Sequence, residues 1–544
     1  GRSAMFFSRS PQLSVEAKAF RQEPDSTDQK KDAQRLKAAN SIHSDTNIPD
    51  EKDTAWDSDM MIVDDNDGPK KKVPDPLVKV FPKRYPGPMS QSLLTDFLAC
   101  LKTYPWPFVV DLAASSGVYL ATVDQQMIMD VGGLYGARML GYNHKKMVTA
   151  AVQSKLALAA TTKLANPDFL SPQCLAYYQL MKSLTPKAFK KTGSRSQVYV
   201  VNTGAEAVEN CMKYILKRHQ ERFKKLNLPS PRSTRFIYFD SGYHGRNVYT
   251  MSMTDIAHDP YANDFNNQST ENVMVPFPYV NNDESEEQNI HRMNEVLDTI
   301  ENTLEVYGQE VCGVVAEILQ GAGGNRVALP EFWQKLSILL RTRQKYLIID
   351  EVQTAGGACG EVFATDMLHL PYGPHAVAVA KKFSCGVCFL ERPLQDEGIL
   401  DSTWGGSISD MTKFVEEWKI IQQERLIPQV PTKTAQIVDG LKKLQLKYGD
   451  DMICNIRGLG LYQGFSTKYK AQICEVALQT EDMFLLGSGP RAVRLRPTLD
   501  ITKEEIDLAL QKLDVVFSRV AAHTWSFTDV QREEPEPIDT SGCP

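Results

Sequence analysis

Short apolar runs alternate with longer amphipathic stretches through the middle of the chain. The runs SQVYVVN, RFIYFD, VCGVVAEIL, KYLIIDEV and HAVAVA are typical of strands, and helical patterns begin from Ala205 and near Pro330. Because continuous Val, Ile and Leu runs suit strands buried on both faces, the alternation predicts an α/β fold with a mostly parallel sheet covered by helices. Such sheets bind ligands beyond the carboxyl ends of their strands, so we expect the chemistry there.

Later segments predict a second, smaller domain and two tails. The amphipathic stretch DMTKFVEEWKIIQQERL predicts a helix that leads into an α+β domain ending near Ala522. We predict that residues 76–130 and 411–522 form this small domain and that residues 131–410 form the large one. Residues 1–75 are expected to be a disordered acidic extension, since Asp45 to Asp67 holds nine acidic residues against one lysine. Residues 523–544, rich in Pro and Glu, are expected to be a flexible tail.

Composition excludes several classes of protein. The 544 residues are 42% hydrophobic and 24% charged, with a net charge of −6, which favours neither nucleic acid nor membrane as a partner. No apolar run reaches the roughly 18 residues of a membrane span. Ten scattered cysteines fit a reducing compartment, so we predict a cytoplasmic protein, with a mitochondrial location as the alternative. Cys385 and Cys388 form one CxxC pair without a second pair, which favours a structural role, and no metal is expected.

Two residues at predicted strand ends suggest pyridoxal phosphate chemistry. Lys381 follows HAVAVA, and Asp350 ends KYLIID. Pyridoxal phosphate needs an amine that holds its aldehyde as a Schiff base and a carboxylate that keeps its pyridine nitrogen protonated. Taken alone, a lysine at a strand end is usually a solvated charge, so the neighbouring motifs must decide.

The neighbouring motifs supply groups that such a cofactor would use. Gly204 and Ala205 stand between a predicted strand and helix, where free amides and the helix dipole would face a phosphate. In FDSGYHGRN, the Tyr243 ring could stack on a pyridine and the Arg246 fork could bind a carboxylate. Taken singly, these residues are more simply a turn, a core tyrosine and a surface arginine.

Two other enzyme classes match parts of the chain. A hydrophobic strand that ends in Asp-Glu, as in IIDEV, also holds magnesium in nucleotide hydrolases, but those enzymes carry GxxxxGK[ST], which this chain lacks. The stretch RGLGLYQG is similar to a dinucleotide-binding fingerprint. Its last glycine is one position late and it lies near the C-terminal end, which disfavours a Rossmann dehydrogenase.

The ordered motifs TGAEAVEN, YHGR, IIDEVQTAGG, AKKFSCG, STWGGS and VRLRPTL resemble those of class III, fold type I aminotransferases, over roughly Phe81 to Val520. L-lysine 6-aminotransferases are the most similar members, followed by 4-aminobutyrate aminotransferases. The resemblance implies a ping-pong ω-aminotransferase that uses pyridoxal phosphate to move the terminal amino group of L-lysine to 2-oxoglutarate, giving a semialdehyde and glutamate. The alternatives are 4-aminobutyrate or another ω-amino acid as donor and, from another class, a catalytically weak interaction protein with this fold.

The resemblance also implies roles for individual residues. Lys381 matches the catalytic Schiff-base lysine, and Lys382 matches a second lysine common in this subgroup. The implied cofactor-binding residues are Gly204 and Ala205 at the phosphate, Tyr243 and His244, Asp350 at the pyridinium nitrogen, Val352 under the ring, Gln353 at the ring hydroxyl, and Thr403, which reaches the phosphate of the neighbouring subunit in a homodimer. The implied substrate-binding residues are Arg246 and Arg494 as carboxylate clamps, with Arg496 as a substitute for the latter, and Tyr135 and Arg138 beside the substrate.

The chain departs from the family pattern at a few positions. Ala322 stands where relatives carry a glutamate that pairs with the second arginine, so Arg494 should attract a carboxylate in both half-reactions, which weakens a strict preference for terminal amines. Arg138 replaces a small or apolar residue and is either a third anion clamp or a solvated or ion-paired arginine. Thr203 and Glu206 stand where some 4-aminobutyrate enzymes have cluster-binding cysteines, so no iron–sulfur cluster is expected.

Overall fold

A computed structural model describes residues 79–189, 195–231, 233–256, 271–522 and 525–528. The predicted acidic extension, 1–75, lies outside the described residues, as does most of the predicted tail, 523–544. Within the predicted tail, Trp525–Thr528 forms a strand that pairs in parallel with Lys79–Pro82.

Strands and helices alternate through the described residues. The strands are β1 (Lys79–Pro82), β2 (Val110–Ser116), β3 (Tyr119–Thr122), β4 (Met127–Asp130), β5 (Gln197–Val201), β6 (Arg235–Phe239), β7 (Val273–Val275), β8 (Val311–Glu317), β9 (Leu319–Gln320), β10 (Arg326–Val327), β11 (Tyr346–Asp350), β12 (Ala376–Val379), β13 (Gly386–Leu390), β14 (Cys454–Leu459), β15 (Tyr462–Ser466), β16 (Met483–Phe484), β17 (Leu486–Ser488), β18 (Ala492–Arg494) and β19 (Trp525–Thr528). The helices are α1 (Pro88–Cys100), α2 (Ala150–Thr161), α3 (Pro172–Ser183), α4 (Gly204–Lys225), α5 (Val248–Met251), α6 (Glu286–Tyr307), α7 (Pro330–Thr342), α8 (Ile408–Gln423), α9 (Val430–Tyr448), α10 (Lys470–Glu481) and α11 (Lys503–Ala521). Short turns of helix occur at Gly133–Gly136, Lys187–Phe189, Gly308–Glu310, Ala364–Leu368, Lys381–Phe383 and Ile427–Gln429.

The central sheet has the strand order β5-β13-β12-β11-β8-β6-β7. It contains all five predicted strands, and every residue of β8, β11 and β12 is buried, as expected for strands covered on both faces. The prediction of an α/β fold with a mostly parallel sheet is confirmed. The exception is β13, which runs antiparallel to β5 and β12. Only a tight turn precedes it, whereas a parallel return needs a crossover of about a dozen residues.

The register of the sheet brings charged residues together at one edge. Asp350, the last residue of β11, lies opposite Glu317 at the end of β8 and opposite Ala378 in β12. Lys381 follows β12, and α4 begins at Gly204 just after β5. Since these strands are parallel, their carboxyl ends meet at this edge, where ligands bind in open α/β sheets.

Smaller sheets join segments from both ends of the chain. In the sheet β16-β4-β3-β2, Met129 of β4 pairs in parallel with Met483 of β16. Another sheet, β14-β15-β18-β17, is antiparallel, and its strand β18 ends at Arg494. The pairing of β4 with β16 supports a small domain built from 76–130 and 411–522, although these boundaries stay a prediction. Within the described residues, no helix combines the length and apolarity that crossing a membrane requires.

Candidate active site

Asp350 is a buried carboxylate that neighbouring groups hold in a fixed orientation. Its side chain is 5% exposed. Oδ1 accepts a hydrogen bond from the backbone amide of Val352 at 3.0 Å, and Oδ2 accepts one from Nδ1 of His244 at 2.8 Å. The carboxylate therefore has two fixed donors and still has lone pairs for a cationic ring nitrogen.

His244 and Glu317 set the electrostatics behind Asp350. Burial alone would lower the pKa of His244, but the hydrogen bond and charge of Asp350 raise it above its ordinary value. Burial raises the pKa of Glu317 to about 7, with Asp350 adding to the rise and the charge of His244 opposing it. His244 is thus hydrogen-bonded to one buried carboxylate, and the charge of Glu317 adds to the rise in its pKa.

Lys381 is half-buried opposite these acids and has an unusual backbone. Its φ is +48°, in the left-handed region, which costs a residue with a side chain about 1–2 kcal/mol. Its Nζ lies 3.4 Å from the carbonyl oxygen of Tyr135. Burial, reinforced by the charge of Arg494, lowers the pKa of Lys381 to about 8. The side chain is therefore partly neutral near physiological pH, as a nucleophilic amine requires.

The turn Gly133–Gly136 carries the carbonyl that faces Lys381. All its residues have positive φ, with values of +57°, +47°, +62° and +73°. Leu134 and Tyr135 adopt this conformation without the freedom of glycine, so contacts elsewhere must hold it. At the start of the turn, Oδ1 of Asp130 accepts hydrogen bonds from the amides of Gly132 and Gly133, at 3.0 and 2.7 Å.

Lys382 fixes the other end of this turn. The side chain is 2% exposed, and its Nζ donates to the carbonyl oxygens of Gly136, at 3.2 Å, and Gln353. A third contact joins Nζ to the Tyr462 hydroxyl in β15 at 2.8 Å. Burial lowers the pKa of Lys382 to about 7. One buried amine therefore connects the strained turn, the loop after β11 and the sheet that contains Arg494.

The side chain of Gln353 lies between this turn and the loop after β8. Its Nε2 donates to the carbonyl oxygen of Tyr135 at 3.2 Å. On the other side, a Cβ added at Gly321 would lie 1.5 Å from Oε1 of Gln353. Glycine is therefore required at position 321 for the observed placement of this amide.

Arg494 and Arg496 lie on the small-sheet side of the site, and they differ in what they contact. Nη1 of Arg494 donates to the carbonyl oxygen of Gly321 at 2.6 Å, while its buried Nε has no hydrogen-bond partner among the described residues. Burial lowers the pKa of Arg494 to about 10, which leaves it cationic at neutral pH. Arg496 instead packs over the Tyr462 ring, 4.5 Å from its centroid, and donates to Oδ1 of Asn325. The Nε of Arg496 is likewise buried without a hydrogen-bond partner among the described residues, so both arginines keep a donor for an incoming carboxylate.

The start of α4 forms a cradle for an anion. A capping box between Thr203 and Glu206 satisfies the donors on either side of the first turn. The amides of Gly204 and Ala205 have no acceptor among the described residues, and a Cβ at Gly204 would come within 2.8 Å of a Val352 methyl group. A phosphate would bind the free amides at this helix N-terminus, and a flat ring attached to it would lie against the side chain of Val352. Together with Lys381 and Asp350, this donor set fits pyridoxal phosphate.

The remaining predicted residues lie at varying distances from this centre. The amide of Tyr243 donates to Glu317 at 2.9 Å, which ties its loop to the site, and Tyr135 is 47% exposed. Arg246 and Thr403 are exposed in the single chain. The guanidinium of Arg138 packs 3.6 Å from the centroid of the Tyr142 ring. Its Nη2 donates to the carbonyl oxygen of Leu140 at 3.0 Å, and its buried Nε has no hydrogen-bond partner among the described residues.

Sequence reasoning gave no role to several residues that the structure brings to the site. Glu317 lies near the end of the predicted strand VCGVVAEIL, so its position close to the ligand-binding edge was a usable signal. Tyr462 and Asn325 had no such signal, because their roles arise from contacts with Lys382 and Arg496 that are distant in sequence.

The sequence and the fold are similar to those of known proteins. A family model described as "Aminotransferase class-III" matches residues 103–517. L-lysine-epsilon aminotransferase of Streptomyces clavuligerus is 28% identical over 437 residues, 76% of this chain and 92% of that protein. A probable mitochondrial 4-aminobutyrate aminotransferase of Caenorhabditis elegans is 25% identical over 454 residues, 79% of this chain and 92% of that protein. The structure of lysine aminotransferase from M. tuberculosis in the internal aldimine form is similar with a TM-score of 0.73 at 24% identity, covering 79% of this chain and 99% of that one.

Proposed function

The chain belongs to the class III aminotransferases, and on this premise we propose that it is a pyridoxal phosphate-dependent ω-aminotransferase. Its donor would be L-lysine, whose terminal amino group passes to 2-oxoglutarate in a ping-pong reaction that gives a semialdehyde and glutamate. The observation that carries the proposal is the half-buried, partly neutral Lys381 close to the charges of Asp350 and Arg494. Similarity to L-lysine-epsilon aminotransferase supports the choice of donor.

The residues around Lys381 and Asp350 would hold the cofactor. The amides of Gly204 and Ala205 would bind its phosphate, and Asp350 would bind its ring nitrogen. The side chains that would contact the ring are Val352, Tyr243 and Gln353. When bound, the cofactor supplies an electron-withdrawing ring that stabilises negative charge on the reacting carbon. His244 would act through Asp350, because its hydrogen bond holds that carboxylate in position.

Lys381 would perform the proton transfer. Its Nζ, whose pKa is about 8, would take a proton from the substrate carbon that bears the amino group and would deliver it to the cofactor carbon that receives the amino nitrogen. The contact with the Tyr135 carbonyl gives the amine a fixed resting position. General bases work best when their pKa lies near the working pH, and burial has moved this lysine into that range.

The arginines would orient the substrates. Arg494 would bind the α-carboxylate of glutamate and 2-oxoglutarate, since its Nε is buried and has no partner among the described residues. Arg246, which is exposed in the single chain, would bind the far carboxylate of lysine. Arg138, whose guanidinium packs against the Tyr142 ring, would be a third group beside the substrate.

A half-reaction screen tests this function. The purified protein, saturated with pyridoxal phosphate, is mixed separately with lysine, ornithine, 4-aminobutyrate and β-alanine, and loss of the visible band of the lysine-linked cofactor is followed. We expect lysine to react fastest and Lys381→Ala to lack the band, whereas the exposed control Lys413→Ala keeps it. A faster reaction with 4-aminobutyrate would support the second candidate donor instead. A protein that forms no band would refute the enzyme and favour an interaction protein.

We also propose a cytoplasmic homodimer with composite active sites, in which Thr403 reaches the partner's phosphate. Mixing Lys381→Ala chains with Thr403→Arg chains tests this arrangement. If the sites are composite, each mixed dimer has one site with an intact lysine and an intact threonine, so activity returns. If Thr403 serves its own site, the mixture stays inactive.

A further inference from the structure

A cationic cavity lies at the opposite edge of the central sheet from the candidate active site. Its volume is about 570 Å³, and we call it the basic pocket. Its cationic residues are Arg218 and Arg222 of α4, Arg341 of α7, and Lys345 and Arg392 beside the strand ends. Tyr346, which also lines it, begins β11, whereas Asp350 ends that strand. The basic pocket therefore lies about 13 Å along the sheet from the active-site edge.

The charges around the basic pocket do not balance. Glu391 is the one carboxylate among its lining residues, which leaves a formal surplus of four positive charges. That carboxylate is shared, with Oε1 3.4 Å from Nη1 of Arg218 and 3.9 Å from Nε of Arg392. Arg341 makes no ion pair within the described part of the chain. Like charges around one cavity repel each other unless an anion or solvent compensates them.

Capping of helix C-termini explains only part of this cluster. Arg222 donates from Nη1 to the carbonyl oxygen of Gln344 at 2.5 Å and from Nη2 to Oε1 of Gln309 at 2.6 Å. Its Nε is nevertheless buried without a hydrogen-bond partner among the described residues. Lys345 is fixed by two carbonyl oxygens, at 2.6 and 2.8 Å. These contacts hold the cationic wall rigid without neutralising it.

The surrounding groups respond to the excess positive charge. His375 also lines the basic pocket, and burial together with the charges of Arg218, Arg341 and Arg392 lowers its pKa to about 3. The imidazole is therefore neutral at physiological pH and adds no charge of its own. It lies edge-on to the Tyr346 ring, with a centroid distance of 4.8 Å and an interplanar angle of 78°, so the two rings hold each other in place in the wall of the basic pocket.

A second cavity of about 590 Å³ adjoins the basic pocket and shares Arg341, His375, Glu391 and Arg392 with it. Its remaining walls include the apolar and aromatic residues Leu340, Leu347, Leu370 and Tyr372, together with the charged residues Lys187, Glu361 and Asp366. Lys187 and Glu361 pair with each other at 2.7 Å. The combined space thus has a strongly cationic end and an end where apolar and charged residues are mixed. A ligand that fits both would have an anionic head and an uncharged or aromatic body.

We propose that the basic pocket binds the phosphate groups of an organic di- or triphosphate, whose organic part occupies the adjoining cavity. Guanidinium groups bind phosphate oxygens through paired hydrogen bonds. Among the described residues Arg341 has no ion pair, and Arg392 has only a 3.9 Å contact with Glu391, so both can donate to a phosphate. A single carboxylate would leave most of the positive surplus uncompensated, whereas a polyphosphate matches it. The site is independent of the transamination chemistry and would exist even if the donor were not lysine.

Isothermal titration calorimetry with the full chain tests this site. The protein is first saturated with pyridoxal phosphate, so that the cradle at Gly204 does not compete, and is then titrated with inorganic pyrophosphate or with ATP. We expect saturable binding of both, tighter for ATP, and weaker binding at higher salt. The double variant Arg341→Gln/Arg392→Gln should weaken both affinities about tenfold or more, the loss expected for charge-assisted hydrogen bonds.

Arg343→Gln is the matched control. Arg343 lies two residues from Arg341 but pairs with Glu301 and Glu305, at 2.6 and 2.9 Å, and does not line the basic pocket. The Arg343→Gln variant should bind pyrophosphate and ATP with the same affinity as the wild type. Absence of saturable binding to the wild type, or an equal loss in Arg343→Gln, would overturn the proposal, and ATP binding no tighter than pyrophosphate would overturn its organic part. Melting temperatures with and without ligand separate lost binding from lost folding, since only ligand-bound protein is stabilised.

Discussion

Replacing Arg494 by lysine should separate the two half-reactions of the proposed enzyme. Nη1 of Arg494 already donates to the carbonyl oxygen of Gly321, which leaves Nε and Nη2 for a substrate carboxylate. A lysine keeps the positive charge and can make one such bond, so the variant loses about one charge-assisted hydrogen bond. Such a bond contributes about 1.5–3 kcal/mol, or roughly 10- to 150-fold in rate.

The loss should appear only where a carboxylate lies beside the reacting group. In 2-oxoglutarate the α-carboxylate adjoins the carbonyl that reacts, whereas the terminal amine of lysine has no carboxylate nearby. We therefore expect kcat/KM for the 2-oxoglutarate half-reaction to fall by about 10- to 150-fold, while the lysine half-reaction changes less than about threefold. Stopped-flow absorbance of the bound cofactor measures each half-reaction separately.

The matched control is Arg491→Lys, three positions earlier on the same segment. Arg491 is exposed and contacts the carbonyl oxygen of Thr467. It should leave both half-reactions unchanged. Equal losses of both half-reactions in Arg494→Lys would mean that the residue supports the fold of the site, and unchanged kinetics would mean that another group binds the α-carboxylate. Either result would refute the assignment.

Further predictions concern the interior of the site. Gly321→Ala should displace the Gln353 side chain, because the new Cβ would lie 1.5 Å from Oε1, and equilibrium dialysis should show weaker cofactor binding. In the cofactor-free protein, the reactivity of Lys381 towards an amine-specific reagent should rise with pH and be half-maximal near pH 8, a phase that Lys381→Arg removes. Lys382 has a folded pKa of about 7 against 10.5 for a free lysine, so the unfolded chain binds more protons between these values, and stability rises with pH there. Relative to Lys382→Met, the wild type should gain up to about 1.4 kcal/mol of unfolding free energy per pH unit in this window, measured by urea denaturation.

Much of the fold could be predicted because its strands are continuous apolar runs. The run KYLIID shows β11 directly, and the residue that ends it is Asp350. The antiparallel β13 was not predicted as such, because GVCFL differs little from the runs that form parallel strands. Its direction follows from the short turn after Lys381, because so few residues cannot return the chain to form a parallel strand. The composition of the strand itself does not indicate this direction.

The candidate site was predictable in its motifs and less so in its contacts. The order of the motifs pointed to Lys381, Asp350 and Gln353, and the structure places them at one edge of the sheet. The contacts that hold them join distant parts of the chain: Tyr135 and Lys381 are 246 residues apart, and Lys382 and Tyr462 are 80 apart. Periodicity reports only near neighbours, so neither the strained turn nor the role of Lys382 could be derived from it.

The left-handed turn also has a consequence for the evolution and engineering of this protein. At Leu134 and Tyr135, glycine would relieve about 1–2 kcal/mol of conformational strain per residue, offset in part by its greater entropy in the unfolded chain. A selection for thermal resistance alone would therefore favour glycine here, while a selection for turnover would retain the side chains. Libraries screened by melting temperature should accumulate substitutions in this turn that lose activity, so the two traits need to be scored together at these positions.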